Sequence, residues 1–394
     1  MSAPPGEENF PRKPPILSGV SGLKALATAE PGHVWVRPLG LFSGEAGSAA
    51  AADGAALPLA GQGSAPGLVF SEVEILVRLP HGGVAGTVVT VAGLDAAAMR
   101  DVPFPLGRRI EEQLDALTRP RAAWAGFELD RPLLMGIVNV TPDSFSDGGD
   151  FLSAESAIAQ GSALLEAGAD ILDIGGESTR PGAEPVAPEE EIRRVEPVIR
   201  ALAERGAVIS IDTRHARVME AALAAGARII NDVSALTGDP DSIGVAQRSE
   251  APLVLMHMKG DPRTMQDNPS YELASLDVVE HLAHRIGICA GAGIRAERII
   301  VDPGIGFGKD FPHNIEILAR LALLHALGCG ILLGVSRKSL IGQLDQNAPP
   351  KARLPGSLAA AIHGLGQGVQ IFRVHDVAET RQAFAVWRAV TRGA

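Results

Sequence analysis

Polar residues able to do chemistry recur in this chain at the ends of short apolar runs. They are Asn139, the Glu177-Ser178-Thr179-Arg180 run, Asp212, Asn231, His257, Asp302, the Ser336-Arg337-Lys338 run, Arg373 and His375. Asp212, Asn231, Asp302 and Lys338 together offer carboxylate acceptors, an amide and an ammonium donor. That set suits the edge of an aminopyrimidinone-type ring, whose N–H and NH2 groups donate to carboxylates and whose carbonyl or ring nitrogen accepts from a lysine. Asn139, Arg180, Arg373 and His375 read as an anion site, because planar guanidinium groups match phosphate oxygens. The pairs Gly148-Gly149 and Gly175-Gly176 leave the adjoining connections free to close over a ligand. In Leu255-Met256-His257-Met258 the side chains alternate, which turns Met256 toward a ligand as an apolar wall and His257 outward.

Other features look chemical and fail on spacing. Gly304-Ile305-Gly306-Phe307-Gly308-Lys309 resembles a phosphate cradle, but it is not G-x4-GK and Asp310 stands where Ser or Thr is required. Gly364-Leu365-Gly366-Gln367-Gly368 leads into an apolar run instead of following one, so it is not a dinucleotide fingerprint. Cys289 and Cys329 are the only cysteines and lie among apolar residues and glycines, as buried, inert thiols do.

The elements that must position the polar ends are legible as eight apolar runs: Leu133–Val140, Asp170–Gly176, Val208–Asp212, Ile229–Val233, Leu253–Met258, Ile299–Asp302, Ile331–Val335 and Ile371–Val374. Continuous apolar runs without alternation are strands buried on both faces. Helical stretches, such as Ala154–Ala167, Glu189–Glu204, Arg214–Ala225 and Ile315–Leu327, separate them. Eight such units in about 260 residues predict a (β/α)8 barrel, a closer fit than a doubly wound open sheet. The active site is then expected at the C-terminal ends of the strands, where the polar residues stand.

Upstream the texture differs. Residues 1–32 are rich in Pro and Gly and are expected to be mobile. Residues 33–131 carry β-like runs (Val34–Leu39, Leu68–Val77, Val84–Val91), an Ala-rich stretch (Ala46–Ala60) and an amphipathic helix (Arg108–Leu117), predicting a small α/β domain with no chemical motif. The catalytic barrel is expected over 132–394, with the upstream residues dispensable for its chemistry.

Composition narrows the function. Of 394 residues 46% are hydrophobic, enough for a packed core, while a net charge of −11 disfavours a surface made for polyanions. With aromatics at 4%, platforms for stacking nucleic-acid bases are not expected. The apolar stretch Leu321–Ser336 contains His325 and three glycines and is too short for a membrane span. The N-terminus has neither the apolar segment of a secretory signal nor the character of a transit peptide, so a soluble, cytoplasmic protein is expected.

Taken together, the motifs strongly resemble dihydropteroate synthases, a family of pterin-binding barrels. The resemblance rests on Met135-Gly136-Ile137-Val138-Asn139-Val140-Thr141-Pro142-Asp143-Ser144-Phe145-Ser146-Asp147-Gly148-Gly149 and Asp173-Ile174-Gly175-Gly176-Glu177-Ser178-Thr179-Arg180-Pro181-Gly182. It continues in Ser210-Ile211-Asp212-Thr213, Ile230-Asn231-Asp232, the run from Asp302 to Lys309, Gly334-Val335-Ser336-Arg337-Lys338 and Arg373-Val374-His375-Asp376. It covers about two-thirds of the chain, from Leu133 to the end; the upstream third departs from the family pattern.

The resemblance implies condensation of 6-hydroxymethyl-7,8-dihydropterin diphosphate with p-aminobenzoate, releasing pyrophosphate in folate biosynthesis, by a cytoplasmic homodimer. It implies pterin contacts from Asp212, Asn231, Met256, Asp302, Phe307, Gly334 and Lys338. Asn139, Thr179, Arg180, Arg373 and His375 would meet the diphosphate, with Asn139 also a ligand of Mg2+. Phe145, Pro181 and Ser339 would surround p-aminobenzoate. Asp147, Arg180, Lys338, Arg373 and His375 would act in catalysis, Asp147 facing the cation left as pyrophosphate departs. No insertion interrupts the segment from Phe145 to Gly149, unlike the pattern of sulfonamide-resistant members. The alternatives are a methyltetrahydrofolate–corrinoid methyltransferase, a methanopterin-pathway synthase and a non-catalytic pterin-binding paralogue. The first has no use for an anion site, and the last would be expected to lose strand-end groups that are all present here.

Overall fold

The computed structural model describes residues 16–18, 26, 33–59, 68–79, 81–94, 102–140, 150–178, 184–261 and 264–392. Its first sheet contains β1 (Ile16–Ser18), β2 (Val34–Phe42), β3 (Leu57–Pro58), β4 (Val69–Arg78) and β5 (Val84–Thr90), in the order β1-β5-β4-β2 with β3 beside β4. β4 runs antiparallel to β2 and β5, while β1 pairs in parallel with β5. The Ala-rich stretch opens as a helix, α1 (Gly44–Ala52), and turns at Gly54, which holds a left-handed φ of 71°.

A longer helix, α2 (Phe104–Thr118), lays Leu106, Ile110 and Leu117 on Val36, Phe70, Val73 and Ile75 of the sheet. Its buried Gln113 accepts the Val36 amide at 2.6 Å and donates to the Val34 carbonyl, locking helix to strand.

Downstream, eight parallel strands close into the expected barrel: β6 (Leu133–Asn139), β7 (Ile171–Gly175), β8 (Ile209–Asp212), β9 (Ile229–Asp232), β10 (Leu253–Met256), β11 (Ile299–Asp302), β12 (Gly330–Leu333) and β13 (Ile371–Val374). The surrounding helices are α3 (Asp150–Glu166), α4 (Pro188–Ala203), α5 (Ala216–Ala225), α6 (Ser242–Ser249), α7 (Ala274–Gly291), α8 (Phe311–Ala319), α9 (Ser339–Leu344), α10 (Leu354–Gly366) and α11 (Val377–Arg392). Local chemistry sets their ends. α4 begins with Pro188 and three glutamates in its first turn, matching the helix dipole, and α8 starts with an Asp310–His313 capping box.

Inside the barrel, Leu133, Met135, Ile171, Ile229, Val254, Ile300, Leu332 and Ile371 meet, and Trp124 and Leu129 pack with them. Trp124 donates its indole N–H to the Arg298 carbonyl at 2.9 Å, so this aromatic is both buried and satisfied. A second, larger core fills the space between strands and helices. One expected helix divides: Ile315–Leu327 is the end of α8 followed by a 3-10 segment, Leu321–Leu327. The first sheet lies on this segment. Its buried Glu74 accepts from Arg37 and from Arg320, each at 2.7 Å.

Candidate active site

Parallel pairing in register sets the strand-end residues side by side. Asn139 pairs with Gly175, Gly175 with Asp212, Asp212 with Asn231, and Met256 with Asp302. Among the described residues, Asn139, Asp212, Asn231 and Asp302 therefore stand at the ends of their strands at one mouth of the barrel. Asn231 and Asp302 are buried, and Asn139, Asp212, Lys338, Arg373 and His375 are partly covered. Met256 is buried at its strand end, and Gly334 lies close enough to Asp302 and Arg373 that a methyl group there would touch both. Lys338 holds its ammonium 4.1 Å from the centre of the Phe307 ring, a cation–π contact on the loop that follows Asp302.

The centre of the ring is a carboxylate that the sequence reading left without a role. Asp173 is fully buried and accepts from Arg373 Nε at 2.6 Å and from Asn231 Nδ2 at 3.1 Å. Arg373 also donates from Nη2 to Asp212 at 2.7 Å. Arg373, from the anion set inferred from sequence, is thus joined directly to Asp212 and through Asp173 to Asn231, both from the ring-binding set. Burial works against its charge, but Asp173 and Asp212 outweigh that and hold the guanidinium protonated.

Burial pushes the Asp302 carboxyl up from its ordinary value, opposed by a 2.7 Å bond from the Gly304 amide and by Lys338 and Arg373. It pushes Asp212 up as well, against the pull of Arg373. Such acceptors gain most from a ligand that brings its own N–H donors.

His375 differs from the simplest anion-site picture. Burial, with Arg337 and Arg373 nearby, pushes its pKa down to about 4, so it is neutral near pH 7. Ser336 Oγ accepts the His375 backbone N–H at 3.2 Å and lies 3.0 Å from Nδ1. A hydroxyl has one donor and two acceptor positions, so the contact with Nδ1 suits either tautomer of the ring, and in one of them Nε2 carries the proton. His257 is buried, its ring against Tyr271 and His281 and its Nδ1 2.9 Å from Lys309 Nζ.

Lys309 also donates to the carbonyls of Gly304 at 2.8 Å and Phe307 at 2.9 Å, and so folds the loop on itself. The Gly304 and Gly306 amides are taken by Asp302 and Asn314, each at 2.7 Å, which agrees with rejecting this loop as a phosphate cradle.

Phe145, Asp147, Thr179, Arg180 and Pro181 lie outside the described residues. Ser339 is exposed at the start of α9. Among the described residues, Glu177, Glu191 and His215 form a cluster able to hold a metal, but Arg214 already bonds both Glu177 oxygens at 3.0 Å. Asn139 fits Mg2+ in another way. Its single half-buried carboxamide oxygen matches an ion that takes few protein ligands and completes its shell with water and substrate phosphate oxygens. Both cysteines are buried, and burial pushes the Cys329 thiol up to about 12.

A (β/α)8 barrel whose strand ends converge carboxylates, an amide and cations is the architecture of an enzyme for a nitrogen-rich heterocycle carrying an anionic group. The model of the family described as pterin binding enzyme matches residues 135–375. The chain is 46% identical to the dihydropteroate synthase of Escherichia coli over 269 residues, 68% of this chain and 95% of that protein. It is 50% identical to that of Neisseria meningitidis serogroup B over 267 residues, 66% and 94% of the two chains. A solved dihydropteroate synthase from Xanthomonas albilineans with 4-aminobenzoic acid superposes with a TM-score of 0.64 at 48% identity, covering 68% of this chain and 96% of that one.

The chain belongs to the dihydropteroate synthase family, transferases of folate biosynthesis. A probable bifunctional folylpolyglutamate synthase/dihydropteroate synthase of Haloferax volcanii, 39% identical, covers 77% of this chain, more than the barrel alone spans.

Proposed function

We propose that this protein condenses 6-hydroxymethyl-7,8-dihydropterin diphosphate with p-aminobenzoate to give 7,8-dihydropteroate and pyrophosphate. The observation that carries the reading is the set of buried Asp173, Asn231 and Asp302 with partly covered Asp212, beside Arg373 and Lys338. Its acceptors meet the N–H groups of a pterin, and its cations face the mouth where a diphosphate would project. Under this reading, Asp212, Asn231 and Asp302 take the ring N–H and NH2 groups while Lys338 donates to a ring acceptor. Met256 and Phe307 cover the faces of the ring.

The pterin methylene carbon adjoins an electron-rich ring, so its bond to the diphosphate oxygen can break first, the electron pair leaving with pyrophosphate. Arg373 stabilises that departing charge as a donor already in place, and His375 joins it as the tautomer with its proton on Nε2, in which Nδ1 accepts from Ser336. Mg2+, held by Asn139 together with substrate oxygens, would supply further neutralisation of the leaving group. The amine nitrogen of p-aminobenzoate, neutral at pH 7, then bonds to the methylene carbon and sheds a proton to solvent. No strong general base is required.

Phe145, Pro181 and Ser339 belong, on the same reading, to the arylamine site, and Asp147 faces the developing cation. Thr179 and Arg180 join the diphosphate site. The two connections that carry Phe145 and Pro181 would close only over bound pterin and pyrophosphate, so p-aminobenzoate binds last. The reading includes a cytoplasmic homodimer.

The cations at the mouth favour this reaction over methyl transfer to a corrinoid, which involves no diphosphate. Expression in a bacterium deleted for its own dihydropteroate synthase tests the reading. Growth without folate end products is expected; abundant soluble protein without growth would count against it.

A further inference from the structure

The upstream sheet carries no chemical motif, yet it is tied to the segment that supports the ring-binding loop. At the end of β4, the Arg78 guanidinium faces three carboxylates of the barrel. Nε and Nη2 bond Glu280 at 3.1 and 2.8 Å, Nη2 bonds Asp277 at 2.5 Å, and Nη1 bonds Glu272. The neighbouring turn adds a backbone bond from the Gly83 amide to Glu272. His33 lies 3.6 Å from Glu280. Asp277 in turn accepts the Glu272 amide at 3.0 Å, fixing the chain where it enters α7.

One residue before Glu272, Tyr271 donates its hydroxyl to the Gly308 carbonyl at 2.7 Å. Gly308 belongs to the loop from Asp302 to Lys309, which carries Asp302 and Phe307. That loop is packed against backbone: a Cβ at Gly308 would come within 2.2 Å of the Lys259 carbonyl, and one at Gly304 within 2.0 Å of the His257 carbonyl. Gln266 adds a bond to the Gly306 carbonyl at 2.8 Å. Residues 257–261 and 264–273 therefore form the bed of the loop, and the far end of that bed is held by Arg78.

We propose that Arg78 is a positioning residue for pterin: through Glu272 and Tyr271 it fixes the register of the Asp302–Lys309 loop, and the upstream sheet is a support of the active site. This rests on the functional reading above and deepens it. Without the guanidinium, three carboxylates face one another with no shared cation, and the Glu272–Leu273 entry to α7 loosens. p-Aminobenzoate, assigned to other elements, is not touched.

The test uses the full chain and steady-state kinetics with both substrates. Arg78→Met and Tyr271→Phe should each raise the KM for pterin diphosphate about 3- to 10-fold, with kcat and the KM for p-aminobenzoate within about twofold. Arg78→Lys should recover part of the loss. The double variant should be no worse than the stronger single one, because both act through one connection. If Arg78→Met does not fold, Glu272→Gln replaces it, with the same expected result. Unchanged pterin KM in a folded variant overturns the proposal, as do multiplying effects or a loss confined to kcat. A wild-type chain that does not bind pterin diphosphate overturns the functional reading, and this inference with it.

Discussion

Arg373 donates from Nε to Oδ2 of Asp173 at 2.6 Å, closing a contact between residues 200 positions apart. Because Asp173 is fully buried, the pair is a fixed part of the barrel mouth, and the second arm of the guanidinium is aimed at Asp212. The strand-end chemistry hangs on this one bridge.

Replacing Asp173 with Asn should therefore do more than remove a charge. The Arg373 guanidinium is partly covered and keeps Asp212, so the cost should be about 1–3 kcal/mol, below that of a buried charge left with no partner. Thermal or urea unfolding of Asp173→Asn should show a loss of that order, and catalysis should fall as Arg373 swings toward Asp212. Wild-type stability would mean that the pair contributes no net energy.

Asp302→Asn should spare the fold and weaken pterin binding. Charge-assisted bonds lost there are worth about 1.5–3 kcal/mol each, at least a tenfold change in affinity. Calorimetry with a pterin ligand checks this; unchanged affinity would remove Asp302 from the pocket.

If Ser336 holds the His375 ring by donating to Nδ1, Ser336→Ala should release it into both tautomers. The expected result is a lower kcat with little change in pterin affinity, and nitrogen NMR of His375 showing a mixture of Nδ1–H and Nε2–H forms. A variant that keeps the wild-type kcat and a single tautomer would show that Ser336 does not set the ring.

His325 gives a pH prediction for stability. Burial, with Arg121 close by, pushes its pKa down to about 3, and Nε2 bonds the Gln367 carbonyl at 3.0 Å. The folded-state pKa is depressed relative to about 6.5 in the unfolded chain. Its contribution is thus complete above that value and is lost as pH falls toward 3. At pH 5 the loss should be about 2 kcal/mol relative to pH 7.5. His325→Gln keeps a donor and should show a shallower acid-side decline by that amount in urea titrations; identical slopes would contradict it.

Much of this architecture was legible because strands buried on both faces read as near-continuous apolar runs, as Leu253–Met256 does throughout and Ile299–Asp302 does up to its last residue. Polar residues at their ends were conspicuous for the same reason. Asp173 escaped because it stands inside such a run, and what justifies a charge there is an arginine from the last strand, invisible to local pattern. Lys309 sits in a glycine-rich loop where an exposed lysine would look the same, and its burial follows only from the carbonyls that fold around it. Ser336 stood beside two basic residues and drew no separate role. Arg78 closes the apolar run Ile75–Val77 like any residue at a strand end, and nothing near it in sequence announces three barrel carboxylates.

The central claim is the condensation itself, and pyrophosphate release measures it most directly. Purified full-length protein with pterin diphosphate, p-aminobenzoate and Mg2+ should release pyrophosphate and form 7,8-dihydropteroate in equal amounts, with p-aminobenzoate binding only after pterin and pyrophosphate are in place. No product from folded protein that binds pterin diphosphate would contradict the account and leave a pterin-binding barrel without this reaction.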